Sequence, residues 1–188
     1  MVQAHKRPHD PYAEFAALPE HMVGEIVNGT LSAHPRPSRG HGRAATGLTS
    51  AIAGPFDFGN NGPGGWKFIA EHELHLGPHI VVPDISSWRT ERYRANEATS
   101  FSVLPPDWLC EVLSPSTKHL DRFQKLAIYA HFGVAYCWYV DPLEKSLEIF
   151  ILVGDRYQVG PAFTGNDAVC AVPFEPHTFN LGSLWDGD

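Results

Sequence analysis

The sequence predicts a mixed α/β fold, a central sheet flanked by α-helices. Three observations predict it. Asn28-Gly29 lies between two strand-like runs, Glu25-Ile26-Val27 and Thr30-Leu31-Ser32. Trp108-Leu109-Cys110-Glu111-Val112-Leu113 is a nearly continuous apolar run, as a central strand covered on both faces would be. A helical pattern from Lys118 to Phe132 separates that run from two further strands. Strand and helix patterns alternate, which is the order of a sheet with helices packed on it.

In chain order, residues 1–9 read as a flexible tail rich in His, Lys and Pro, and 10–188 as a single domain. Asp10-Pro11 gives an N-cap with proline at the first helical position, and a short helix with Tyr12, Phe15, Ala16 and Leu18 stops near Pro19. Asn28-Gly29 is the turn of a hairpin, because both turn residues must tolerate positive φ. From His41 to Ala53, Ala44, Leu48, Ala51 and Ile52 recur at helical spacing. Residues 54–65, dense in Gly, Asn and Pro, form an irregular loop. Trp66 to Leu76 alternates like one strand with a wet face, and Ile80 to Ile85 reads as the next. The 118–132 helix follows the Glu111 strand, with Leu120, Phe123, Leu126, Ala127 and Tyr129 on its apolar side, and stops at Gly133. Tyr136 to Val140 and Leu147 to Val153 are strands joined by a turn at Asp141-Pro142, and short strands are expected near the C-terminus.

The 188 residues suffice for one sizeable core. No stretch approaches the roughly 20 apolar residues of a membrane helix, and Met1 to Lys6 lacks the apolar core of a signal peptide. A cytoplasmic protein with no membrane partner is therefore expected. The net charge of −7 argues against non-specific coating of nucleic acid, yet allows an enzyme with a locally basic site. Arg89, Arg92 and Arg94 lie close together, as do Lys118, Arg122 and Lys125. Cys110, Cys137 and Cys170 are scattered in apolar contexts and read as buried thiols.

Two acids stand out. Asp84 sits in an apolar strand after Pro83, and Glu111 sits in the most hydrophobic strand. Burying an ionised carboxylate without a partner is expensive, and two neighbouring ones raise each other's pKa. A hard divalent cation such as Mg²⁺ or Mn²⁺ resolves both problems; surface ion pairing at strand ends is the other reading. Asp121, Lys125 and Tyr129 form a stripe at i, i+4 and i+8, so Lys125 can point toward the Glu111 strand. A lysine there can orient water and stabilise charge developing on a phosphate; it could equally be one half of a plain Asp121–Lys125 helix pair. His41 could approach the same place from its helix. His72, His75 and His79 fit no zinc motif, and no glycine run has nucleotide-loop spacing.

Val82-Pro83-Asp84-Ile85-Ser86, Glu111 to Thr117, Asp121 to Tyr129, Gly133-Val134 and Tyr136 to Pro142 together resemble the Uma2 family of the PD-(D/E)XK superfamily. The resemblance spans roughly residues 12–155 and is most specific from Glu111 to Pro142. It implies a restriction-endonuclease-like α/β (α+β) fold and a Mg²⁺- or Mn²⁺-dependent phosphodiesterase site on nucleic acid, with DNA the first expectation. Asp84 and Glu111 would be the metal ligands and Lys125 the catalytic lysine. Glu25, in a hairpin that resembles the family's N-terminal acidic one, would be a fourth catalytic member. The superfamily's usual lysine position, two residues after the acid, holds Leu113 here, so the resemblance implies that the lysine has moved to the helix. It also raises a possible homodimer, to which the aromatic run Tyr136 to Tyr139 could contribute. The competing function class is a catalytically inactive nuclease fold serving as a binding or assembly module.

Overall fold

The structure, a computed structural model, describes residues 10–35, 37–93 and 99–185. The expected tail at 1–9 and Arg94 lie outside them.

Helix α1 (Pro11–Ala16) starts where Asp10 Oδ1 accepts hydrogen bonds from the Tyr12 and Ala13 amides at 3.0 and 3.3 Å. β1 (Met22–Val27) and β2 (Thr30–Pro35) form the expected hairpin. Its turn residues Asn28 and Gly29 have φ of 51° and 74°, the left-handed values that this short loop requires. Helix α2 (Arg39–Phe56) is longer than the predicted 41–53. The Ser38 hydroxyl caps it by accepting from the His41 amide, and Ala44, Leu48 and Ile52 form its buried stripe.

Among the described residues the larger sheet runs in the order β11-β10-β9-β8-β6-β3. Its strands are β3 (Trp66–Ala70), β6 (Ile85–Arg89), β8 (Trp108–Val112), β9 (Tyr136–Asp141), β10 (Ser146–Val153) and β11 (Arg156–Thr164). The β8–β9 pair is parallel and the other pairs are antiparallel. The sheet is covered on both faces. Trp108, Cys110 and Val112 join α2 in one apolar cluster, while Leu109 and Leu113 join Ile128 and Tyr129 in the other. Strand alternation therefore directs Glu111 toward the second face.

The smaller sheet, ordered β2-β1-β5-β4-β7, adds β4 (Glu73–Leu76), β5 (His79–Val81) and β7 (Phe101–Ser102). Two expected strands are each divided between the sheets. The run 66–76 breaks between β3 and β4, with Glu71 at φ 47°. The run 80–85 breaks between β5 and β6 at Val82-Pro83-Asp84, where proline has no N–H for a ladder. The two breaks lie side by side, since the Glu71 amide donates to the Asp84 carbonyl at 3.0 Å. Asp84 thus lies in the crossover between sheets rather than inside a strand.

The 118–132 helix contains a π-helical segment, Leu120–Lys125, that runs into α3 (Leu126–His131). The Leu126 amide donates to the Asp121 carbonyl, the i→i−5 bond of a π-turn. This helix buries its Asp121–Lys125–Tyr129 stripe, which leaves Phe123, expected on the apolar side, 66% exposed. Gly133, at φ 76°, ends it. β12 (Ala168–Val169) pairs with β13 (Phe179–Asn180) near the C-terminus. Cys110 and Cys137 are buried in strands, but Cys170 is exposed, because it follows the short β12 instead of lying in a central strand. No described helix is long and apolar enough to cross a membrane.

Candidate active site: a lysine among three carboxylates

Lys125 is the centre of the candidate site. Its Nζ lies 2.7 Å from Glu111 Oε1, 2.8 Å from Glu25 Oε1 and 3.3 Å from Asp121 Oδ1. All four side chains are buried. Three elements supply them: Glu25 comes from β1, Glu111 from β8, and Asp121 and Lys125 from successive turns of the π segment.

Each acid has its own further support. Glu25 Oε1 also accepts from the Val82 amide at 2.8 Å, and its Oε2 lies 3.8 Å from His34 Nε2. Glu111 Oε1 also accepts from the Tyr129 hydroxyl at 2.5 Å. Asp84 stands beside this group, with Oδ2 accepting from the Val112 amide at 2.7 Å and Oδ1 3.2 Å from His41 Nε2. Glu25, Asp84, Glu111, Asp121, Lys125 and His41 all line one cleft of about 670 Å³. The cleft opens between the β1–β2 hairpin, the start of α2 and the Ser114–Thr117 connection.

The electrostatics follow from burial and charge. Burial acts to raise the Glu25 carboxyl, but Lys125, His34 and the Val82 amide outweigh it and hold it at about 2. Glu111 is pushed well above the usual carboxylate range by burial, which Lys125 opposes while Asp121, Asp84 and Glu25 reinforce it. Two acids on one lysine thus shift in opposite directions. The difference lies in the surroundings: Glu25 has further donors in His34 and the Val82 amide, whereas Glu111 is raised by three neighbouring acids. Asp121 is raised chiefly by burial. Burial acts to lower Lys125, but the three acids raise it well above its ordinary value, so it is a cation. His41 is raised as well, because Asp84 outweighs its burial.

Asp84, Glu111, Lys125 and Glu25, the four residues singled out from sequence, therefore share one cleft. Asp121 is an additional acid in it; the i, i+4, i+8 stripe included it, though only as a neighbour or helix partner of Lys125. His41, weighed as a visitor, touches Asp84, and nothing in the sequence marks His34. The basic clusters are tied up locally: Arg92 pairs with Asp107, Arg122 with Glu148 at 2.6 Å and Lys118 with Asp141 at 2.7 Å. His72, His75 and His79 have separate partners in Ser102, Glu73 and the Asn28 amide. Among the described residues, no group of three or more His, Cys, Asp or Glu side chains is gathered for a metal ion.

A mixed sheet carrying buried acids and a lysine beside a cleft defines a restriction-endonuclease-like protein of the nuclease-like class. The chain belongs to the Uma2 family, whose profile, described as "Putative restriction endonuclease", matches residues 12–181. Among solved structures it is similar to a crystal structure from Anabaena variabilis described as a putative nuclease, with a TM-score of 0.74 and 23% identity over 94% of this chain and 97% of that one. At that identity the likeness is one of fold. No curated protein matches the sequence.

Proposed function

We propose that this chain is a divalent-metal-dependent endonuclease that hydrolyses phosphodiester bonds of nucleic acid, with DNA as the first substrate to test. The observation that carries the reading is that Asp84, Glu111 and Lys125 line one cleft, two acids that can hold an ion beside one lysine.

The donor chemistry fits Mg²⁺ or Mn²⁺. Asp84 and Glu111 offer hard oxygen ligands, and Glu25, Glu111 and Asp121 share one lysine in the cleft that Asp84 also lines, an excess of acids that a cation would relieve. Two protein ligands suit an ion that keeps several waters. When bound, the ion supplies Lewis-acid polarisation of a phosphate oxygen and an acidified water. The chain's own residues do the rest. The Val112 amide fixes the Asp84 carboxylate. Lys125 and Tyr129 fix Glu111. Glu25 is a positioning residue that keeps Lys125 charged and in place, and Lys125 supplies positive charge in the cleft against charge developing on the phosphate.

One observation favours the binding-module reading: the Lys125 ammonium is already shared among three carboxylates, as in a closed structural cluster. Nuclease assays on plasmid DNA and RNA, with Mg²⁺ or Mn²⁺ against EDTA, decide between them. The expected result is metal-dependent cleavage that falls about 10²- to 10³-fold in Lys125→Met. Cleavage unchanged in both Lys125→Met and Asp84→Asn would refute the assignment. Absence of cleavage on every substrate would favour the module.

A further inference from the structure

Each of the two proposed ligand carboxylates has one oxygen already committed to the protein. Glu111 Oε1 receives the Tyr129 hydroxyl at 2.5 Å and the Lys125 ammonium at 2.7 Å, two strong donors on one atom. Asp84 Oδ2 receives the Val112 amide at 2.7 Å. Glu111 Oε2 has no hydrogen-bond partner among the described residues, and Asp84 Oδ1 meets only His41 at 3.2 Å. Glu111 therefore keeps one oxygen that no described residue binds, while both Asp84 oxygens have partners, Oδ1 through the His41 ring alone.

We infer that Tyr129 is a positioning residue that sets the ion selectivity of this site, by holding Glu111 to one-oxygen coordination. The inference rests on the metal-site reading above and deepens it. Mg²⁺ demands near-octahedral geometry with short bonds and accepts single oxygens from carboxylates. Ca²⁺ takes six to eight ligands and gains them readily by two-oxygen chelation of a carboxylate. A Glu111 whose Oε1 is bound from behind cannot swing both oxygens onto one ion without breaking the Tyr129 and Lys125 bonds. The larger ion is thereby denied a ligand, while the smaller loses nothing. Tyr129 is fully buried in the second apolar cluster, beside Ile128 and Leu113, so its ring cannot retreat from Glu111. The hydroxyl is consequently a fixed stop. Tyr129→Phe removes only that oxygen and keeps the ring that packs in the cluster.

The test is calorimetric titration of Mg²⁺ and of Ca²⁺ into wild type and Tyr129→Phe, without nucleic acid. Outer-shell partners of this kind are worth about 10- to 100-fold in metal affinity. Mg²⁺ binding should therefore weaken in the variant while Ca²⁺ binding holds or tightens, and the ratio of the two dissociation constants should move at least about 10-fold toward Ca²⁺. Equal weakening of both ions, or no change in either, would overturn the inference while leaving the metal site standing. Failure of the wild type to bind either ion would overturn the metal-site reading and this inference with it. A second measurement needs no variant. In the infrared difference spectrum of wild type with Mg²⁺, one-oxygen coordination widens the separation of the antisymmetric and symmetric carboxylate bands, and two-oxygen chelation narrows it. Widened bands are expected; a narrowed pair would overturn the inference even if Tyr129→Phe failed to fold.

Discussion

Replacing Lys125 by methionine keeps an unbranched side chain of similar length and removes one charge. Lys125 is 2% exposed, and its partners Glu25, Glu111 and Asp121 are 2%, 2% and 3% exposed, so water cannot take over its role. Removing one partner of a buried ion pair costs about 3–5 kcal/mol, because the remaining charge is left uncompensated. Three carboxylates share this lysine, which places the expected loss at the upper end at pH 7.5 in EDTA. With a urea slope of about 2–3 kcal/mol/M, the midpoint should fall by about 1.7–2.5 M. The loss must also depend on pH. Without the lysine, the buried carboxyls have folded-state pKa values above their unfolded ones. Such groups favour the fold below the unfolded pKa, and that stability is lost as pH rises through the folded pKa. The gap between variant and wild type should therefore narrow as pH falls from 7.5 toward 5, as Glu111 and Asp121, already raised in the wild type, take up protons. Urea denaturation followed by circular dichroism at both pH values measures this. A loss below about 1 kcal/mol at pH 7.5, or a gap that does not change with pH, would refute the charge argument.

Two further predictions concern the other acids. Asp84→Asn keeps an oxygen for the Val112 amide, so it should stay within about 1 kcal/mol of wild type, whereas Asp84→Ala orphans that amide and should cost about 1–3 kcal/mol; both should lose divalent-ion binding by calorimetry. Glu25 is held at about 2 against an ordinary 4.5, so its contribution is fully present above pH 4.5 and lost as pH falls through about 2. Glu25→Gln should therefore show a shallower loss of stability than wild type across that window in acid titration by circular dichroism, and an unchanged acid limb would count against the Glu25–Lys125 pair.

How much of this was legible in the sequence depended on whether a residue's chemistry marked its backbone or its burial. Asn28-Gly29 announced the hairpin because few residues accept two successive positive φ values. The Glu111 strand was legible because an apolar run covered on both faces has no amphipathic alternation to confuse. The division of 66–76 was not legible: Glu71 takes φ 47° without a glycine to signal it, and the alternation that puts Leu74 and Leu76 inside continues in phase across the break. Pro83 did mark the second break, since proline interrupts a ladder, but the flanking apolar residues hid it. Within the site, Glu111 and Lys125 could be read from an acid in an apolar strand and a helix stripe. Asp121 was placed on the stripe but not assigned to the site, because an i, i+4 pair looks the same whether it faces water or a core. Glu25 emerged only from resemblance, since an acid in a hairpin is ordinarily solvated.

The π segment accounts for a lysine that comes from a helix rather than from the strand of its acid. Two residues beyond Glu111, on the same side of the strand, lies Leu113, 3% exposed and packed with Ile128 and Tyr129. That position has been given to the core, so the cation must arrive from the covering helix. A helix lying on a sheet can slide or rotate, and a shift of one ångström would separate Lys125 from Glu111. Two features oppose it. Tyr139 is the register partner of Glu111 across the parallel β8–β9 ladder. Its hydroxyl donates at 2.5 Å to the Asp121 carbonyl, the same oxygen that accepts the i→i−5 bond from Leu126. The strand pairing that sets the height of Glu111 thus also sets the height of the π-turn that carries Asp121 and Lys125. Tyr129, one turn further on, completes the tie by binding Glu111 directly. The 2.7 Å contact between Lys125 and Glu111 is in this way fixed by one backbone ladder and two tyrosine hydroxyls.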